Sequence, residues 1–362
     1  MKRVLLVIGS PLENAGVPNV VMKIVRFLRN EFMFDILVGN SKPGYYDEEF
    51  LSYGGNIYRY DKYTYEDGKI KFIKGGNQIY TVVSNILKET RYDIVHCHNG
   101  YLAGWVMKAA YKQNVPVRIA HSHGTYLING KNIPARLFKK QSMKKIVRYA
   151  TDFLACSDIA GKTLYLGHDF VNVLNPIDAT RYLALKKQQH EGINLLQIGY
   201  YCTLKNQMFT LKVLKELIHK GIDAHLWYIG YENESGYLQK LKNKINDLNL
   251  DDRVELLPSN YDKESIFPII DFMLLPSSSE GLPLTALEAQ ASKTFCIAST
   301  HVPMDADMGL FTRLDVDSTD SALYWAEWIL RNNNYPNTLD TEKIMSLNTE
   351  QWASMIAKVY RQ

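Results

Sequence analysis

Short apolar runs along the chain alternate with longer stretches in which apolar residues recur every three or four positions. The runs predict strands at Val4–Ile8, Phe34–Val38, Ile57–Tyr60, Asp93–His96, Val117–Ala120, Phe153–Cys156 and Val171–Leu174. Between the first two, Val17, Val20, Val21, Ile24, Val25 and Leu28 form one stripe at the helical period. The pattern restarts at Asn194–Ile198, followed by a helix striped by Met208, Leu211, Leu214, Leu217 and Ile218 and closed at Gly221. Further strands are expected at His225–Ile229, Val254–Leu257, Phe272–Leu275 and Phe295–Ala298. Nearly continuous apolar strands separated by helices belong to parallel sheets covered on both faces. The polar stretch from Ala179 to Gly192 reads as a linker. The fold expected is α/β: two doubly wound, Rossmann-like domains in tandem, over 1–180 and 181–348. A last helix over 349–362 carries Trp352, Ile356 and Tyr360 at spacings of four, and such large side chains need a surface to bury them. That surface is expected on the N-terminal domain.

Composition narrows the class. The chain has 362 residues, 46% of them hydrophobic, which suits about two domains of roughly 150 residues each. No run approaches the roughly 18 to 20 apolar residues of a membrane span. Cys97, Cys156, Cys202 and Cys296 lie far apart, which argues against a zinc ribbon or a disulfide framework and for a reducing, cytoplasmic setting. The net charge of +4 conceals an asymmetry: residues 1–180 carry 24 basic against 15 acidic side chains, residues 181–362 carry 18 against 23. A basic half leaves nucleic acid, an anionic membrane or a phosphorylated substrate open as partners.

The richest segment is Pro276-Ser-Ser-Ser-Glu-Gly-Leu-Pro-Leu-Thr-Ala-Leu-Glu-Ala-Gln-Ala291. It follows a buried strand, so it lies at a carboxyl end, where open α/β sheets bind ligands. Pro283 suits a first helical turn, and the amides of Gly281 and Leu282, with Leu284 beside them, would be unpaired donors at that helix start. Glu280 on the loop and Glu288 inside the helix can face one crevice and accept sugar or ribose hydroxyls. The plain alternative has Glu280 complementing the helix dipole and Glu288 in solvent.

This segment resembles the two-glutamate motif of glycosyltransferase family 4, retaining nucleotide-sugar enzymes of the GT-B fold. The resemblance implies that Glu288 binds donor ribose, that Glu280 contacts the donor sugar, and that the amides of Gly281 and Leu282 help hold it. Gly199-Tyr-Tyr-Cys-Thr-Leu-Lys-Asn206 resembles the family's G-R-x-x-x-x-K segment, so Lys205 is the expected counter-charge to the donor diphosphate. Tyr200 stands where the family has arginine, and brings no charge. Asn14-Ala-Gly-Val-Pro-Asn-Val-Val21 resembles the family's glycine-rich loop, with Gly16 kept; it is not G-x-G-x-x-G, which speaks against a nicotinamide cofactor. Leu257 and Pro258 are expected near the base.

Asp93-Ile-Val-His-Cys-His98 and Arg118-Ile-Ala-His-Ser-His-Gly124 place histidine pairs at strand ends, and alternation puts each pair on one side. No carboxylate or cysteine set completes a convincing metal site, so none is expected. The resemblance implies instead that His98 and Asn99 line the acceptor side and that His121 or His123 touches the donor sugar. Between Gly130 and Ala150, Lys131, Arg136, Lys139, Lys140, Lys144, Lys145 and Arg148 occur without an acidic residue. This basic amphipathic stretch reads as a solvated face or as contact with an anionic leaflet. Nucleic acid ranks low, for want of aromatic stacking platforms.

The function expected is hexosyl transfer, with retention and without a metal, from a nucleotide diphosphate sugar, UDP by prior, to a saccharide or polyprenyl-diphosphate-linked acceptor in surface polysaccharide synthesis. The two domains would face a cleft, and the enzyme would be cytoplasmic or peripheral on the inner membrane face. A nucleotide-sugar-binding scaffold without turnover is the alternative.

Overall fold

The computed structural model describes residues 1–61, 71–124, 133–336 and 338–362, with main chain only at 71–73 and 133–135. The chain divides into two compact units, Met1–Pro176 with Thr349–Gln362, and Ile177–Asn348.

The first unit holds β1 (Lys2–Val7), β2 (Phe32–Val38), β3 (Ile57–Arg59), β4 (Ile94–Cys97), β5 (Val117–Ser122), β6 (Asp152–Ala155) and β7 (Val171–Asn172). They lie in the order β3-β2-β1-β4-β5-β6-β7 with parallel pairings. The second holds β8 (Ile193–Ile198), β9 (Ala224–Gly230), β10 (Val254–Pro258), β11 (Phe272–Leu275), β12 (Phe295–Ser299) and β13 (Phe311–Leu314). Their order, β10-β9-β8-β11-β12-β13, repeats the doubly wound pattern. Each sheet reverses direction once, at β1/β4 and at β8/β11, and ligands of such sheets bind outside the carboxyl ends there.

The apolar stripes do what their spacing predicts. In the helix Gly16–Leu28, Val20, Val21, Met22, Ile24, Val25 and Leu28 are all buried. Full burial of each such side chain is worth about 1.5–3 kcal/mol, as an upper estimate. The last helix, Thr349–Arg361, belongs to the first unit and buries Trp352, Ile356 and Tyr360 completely. Tyr360 meets Phe32 edge-on at 5.2 Å, and the Lys2 ammonium donates to the carbonyls of Tyr360 and Arg361 at 3.0 Å. Those are two of the carbonyls a helix end leaves unpaired.

Two expectations are corrected. The segment 179–192 is not a loose linker: Ala179–Leu183 is helical with Tyr182 buried. Further along it, Lys187 donates to the Phe267 carbonyl at 3.1 Å and the Thr294 hydroxyl at 2.8 Å. β13 was not expected, because Phe311-Thr-Arg-Leu314 sits at the sheet edge with no fully buried residue and so lacks the apolar run of a central strand.

Candidate functional site

In the second unit the loops that leave β8 and β11 meet at the switch point. The Ser278 amide donates to the Leu204 carbonyl at 2.9 Å, and Gln197 Nε2 donates to the Lys205 carbonyl at 2.7 Å. Asn206 takes a left-handed conformation, φ 55°, which asparagine tolerates better than most residues, and so turns the chain into the helix Gln207–His219. These bonds deliver Lys205 to Glu280: the ammonium and carboxylate form a hydrogen-bonded ion pair, with side chains only 17% and 11% exposed. Gly199 and Tyr200 precede Lys205 on the same loop. Tyr200 packs against Tyr231 with ring centres 4.8 Å apart, and its carbonyl accepts from Gln207 Nε2 at 2.7 Å.

Glu288 lies one turn inside the helix Leu284–Ala291 and is buried, which removes the solvated alternative. Its carboxylate is paired with the Lys263 ammonium and hydrogen-bonded to the Tyr182 side chain, whose hydroxyl is driven well above the usual tyrosine range by burial and then by the charge of Glu288. Lys263 also lies over the Tyr182 ring at 5.9 Å. A buried carboxylate needs such partners, since losing one costs about 3–5 kcal/mol. Pro283 caps the helix rather than entering it, so the amides of Gly281 and Leu282 belong to the loop ahead of the first turn. Leu282 is buried and Leu284 half-buried. Leu257, half-buried, pairs with Ile229 in register.

Sequence reasoning missed Lys263 and Tyr182. Lys263 stands in no pattern, and Tyr182 lay in what read as a linker.

In the first unit the four histidines gather where β4 and β5 end. The rings of His96 and His98 are 4.1 Å apart, as are those of His121 and His123, so each pair shares a side as alternation requires; Cys97 faces the core instead. His96 Nδ1 is hydrogen-bonded to the Tyr360 hydroxyl at 2.7 Å and its Nε2 to His121 Nδ1 at 3.2 Å. His98 Nδ1 and His123 Nε2 are 2.7 Å apart. Burial drives all four below the ordinary histidine range, His123 to about 4 against the opposing effect of an Asn175 hydrogen bond. All four are therefore neutral near pH 7. His96, His98 and His121 each offer a ring nitrogen within 4.8 Å of the others', a spacing a metal could draw together, but both His96 nitrogens already have hydrogen-bond partners. His123 lies just past the end of β5 and is less buried than His121. Asn99, half-buried, donates to the Tyr60 hydroxyl at 3.3 Å.

Gly16 starts the helix Gly16–Leu28 after an extended Ala15 and is exposed; a Cβ there would meet nothing within 4 Å. The basic stretch forms the helix Ile133–Tyr149; Lys131 lies outside the described residues. Arg136, Lys140 and Lys144 are exposed and Lys139 half-buried. Part of its apolar surface is covered within the unit, with Phe138 stacked on Trp105 at 4.7 Å and Ile146 fully buried, while Leu137 is exposed. Among the described residues no helix is long and apolar enough to cross a membrane.

Comparison with known proteins agrees with both halves of this picture. The family model described as Glycosyltransferase Family 4 matches residues 15–171, and that described as Glycosyl transferases group 1 matches residues 184–308. A putative glycosyltransferase of Bacillus subtilis, EpsF, is 31% identical over 349 residues, covering 91% of this chain and 87% of that protein. CapH of Staphylococcus aureus, a capsular polysaccharide biosynthesis glycosyltransferase, is 24% identical, covering 81% and 80%. An Escherichia coli UDP-Gal:alpha-D-GlcNAc-diphosphoundecaprenol alpha-1,3-galactosyltransferase is 27% identical, covering 66% and 67%. Among solved structures, Anabaena HepE in complex with UDP superposes with a TM-score of 0.75 at 11% identity, covering 99% of each chain. The fold is thus the GT-B fold expected from the sequence.

Proposed function

The chain belongs to the family 4 glycosyltransferases, and from that membership we propose that it transfers a hexosyl group from a UDP-sugar to a lipid-linked saccharide in surface polysaccharide synthesis, with retention and without a metal. The observation that carries this reading is the pairing of Lys205 with Glu280 and of Lys263 with Glu288 at the carboxyl end of the second sheet. Ribose hydroxyls donate well to Glu288, held in place by Lys263 and Tyr182. The diphosphate attracts Lys205, which exchanges its partner Glu280 for the phosphate oxygens and leaves that carboxylate to a donor-sugar hydroxyl. Charge that develops on the leaving diphosphate then meets a preorganised ammonium and loop amides. Tyr200 adds no charge, so Lys205 carries more of this task than it would beside an arginine. The neutral histidines, with Asn99, suit hydroxyl recognition on the saccharide side.

The names of relatives support the substrate classes. HepE was solved with UDP, CapH is named for capsular polysaccharide, and the Escherichia coli relative for a UDP-sugar donor and a diphosphoundecaprenol acceptor. Arg136, Lys139, Lys140 and Lys144 supply charge toward an anionic leaflet. With Phe138 and Ile146 of their helix buried and Leu137 alone exposed among its described large apolar side chains, such contact is chiefly electrostatic and falls steeply with salt.

Calorimetric titration of UDP, GDP and ADP tests the reading. UDP should bind selectively, and Glu288→Ala should abolish that binding. Equal or absent binding of the three nucleotides would overturn the donor assignment.

A further inference from the structure

We propose that Tyr360 and His96 are positioning residues that hold His121 in one tautomer, with its proton on Nε2, as a hydrogen-bond donor to a hydroxyl of the bound saccharide. The saccharide part rests on the glycosyltransfer reading; the tautomer does not.

The direction of the chain of bonds follows from what burial forbids. The Tyr360 hydroxyl is fully buried and lies 2.7 Å from His96 Nδ1. If that O–H did not donate to Nδ1, it would lack an acceptor among the described residues, at a cost of about 1–3 kcal/mol. The reverse direction would leave both that O–H and a bare His121 Nε2 unpaired, whereas this one leaves the His121 Nε2–H alone; the hydroxyl therefore donates, and Nδ1 is bare. A neutral imidazole with a bare Nδ1 carries its proton on Nε2. That N–H points to His121 Nδ1, 3.2 Å away, and two ring nitrogens can share one hydrogen bond only if the second is bare. His121 is thus also protonated on Nε2. Burial holds both rings neutral, so no second proton disturbs the sequence.

The end of the chain is open. His121 Nε2 is buried and has no hydrogen-bond partner among the described residues, although polar groups in protein interiors are nearly always paired. An N–H donor fixed in this state is matched by a hydroxyl oxygen. It also explains why a tyrosine at the last turn of the chain's final helix reaches a strand end in the middle of the sheet: it sets the polarity of a donor two residues away in the hydrogen-bond chain.

The test is nitrogen NMR of histidine-labelled full-length protein, in which the shifts of the two ring nitrogens report the tautomer. Wild type should show His96 and His121 as single Nε2–H tautomers. Tyr360→Phe and His96→Leu should convert His121 to a mixture, whereas His96→Gln, whose amide still donates to His121 Nδ1, should preserve the single form. A tyrosine that merely fills space would leave the His121 tautomer unchanged in Tyr360→Phe. Wild-type His121 protonated on Nδ1, or a single Nε2–H form that persists in both His96→Leu and Tyr360→Phe, overturns the proposal. If Tyr360→Phe does not fold, the two His96 variants decide. Free N-acetylglucosamine, used as the saccharide probe, should shift the His121 Nε2–H resonance. Sugar that shifts other resonances of the first unit to saturation without moving that one removes the hydroxyl contact. Sugar that moves none counts against the saccharide reading and leaves the tautomer result standing.

Discussion

The two units share a strand order and place polar side chains at the carboxyl ends of strands, at the β8/β11 switch in one and a strand beyond the β1/β4 switch in the other, yet they furnish these ends with opposite electrostatics. At the end of β8 and β11 the second unit sets full charges in compensating pairs, Lys205 with Glu280 and Lys263 with Glu288. At the end of β4 and β5 the first unit sets four histidines, kept neutral by burial and bonded to one another and to Tyr360. Paired charges can exchange partners for a charged ligand at little net cost. Neutral rings with fixed donors and acceptors read the pattern of a neutral one. On the proposed function, one architecture serves a diphosphate in one unit and hydroxyl groups in the other.

Removing the ammonium that the proposed function assigns to phosphate should have the largest effect. Lys205→Met should lower kcat by roughly 100- to 1,000-fold, the range for loss of one preorganised donor, whereas His98→Gln should cost about tenfold, as for a single hydrogen bond. Turnover measured on both variants checks this, and equal losses would break the contrast.

Acid should then separate the units. Histidines whose folded-state pKa is depressed stay neutral while their unfolded counterparts take up protons. Stability is therefore complete above about pH 6.5 and is lost as pH falls toward 4. Each buried ring contributes about 1.4 kcal/mol per pH unit in that window. Urea unfolding followed between pH 7 and 5 should show the loss, and the double variant His98→Gln, His121→Gln should show a shallower one. A flat profile would mean that the rings are hydrated and protonated in the folded chain.

The smallest effects compare two glycines. A Cβ on Gly230 would lie 2.1 Å from the Gly199 carbonyl oxygen, so Gly230→Ala should destabilise by about 1–3 kcal/mol. A Cβ on Gly16 would meet nothing, and Gly16→Ala should stay within about 0.5 kcal/mol of wild type. Thermal melts of the two variants settle the pair.

Much of this was legible in the order of residues, for reasons that differ between the parts. Parallel strands covered on both faces need long apolar runs, so twelve of the strands stood out, while β13, an edge strand with Thr312 and Arg313 inside it, did not. Glu280 and Glu288 were legible because the segment that holds them resembles the two-glutamate motif of the family; the residues alone left a solvated Glu288 open. Lys263, Tyr182 and Tyr360 were not legible as partners, because each reaches its carboxylate or imidazole through tertiary packing, which leaves no period in the chain.

The last helix of the first unit follows the entire second unit in the chain. During synthesis the segment Ile177–Asn348 has all its strands available while the first sheet still lacks the helix that buries Trp352 and Tyr360. The usual order, in which an N-terminal domain is finished first, is thereby altered: the first unit can complete its core only after the segment that forms the second has been made.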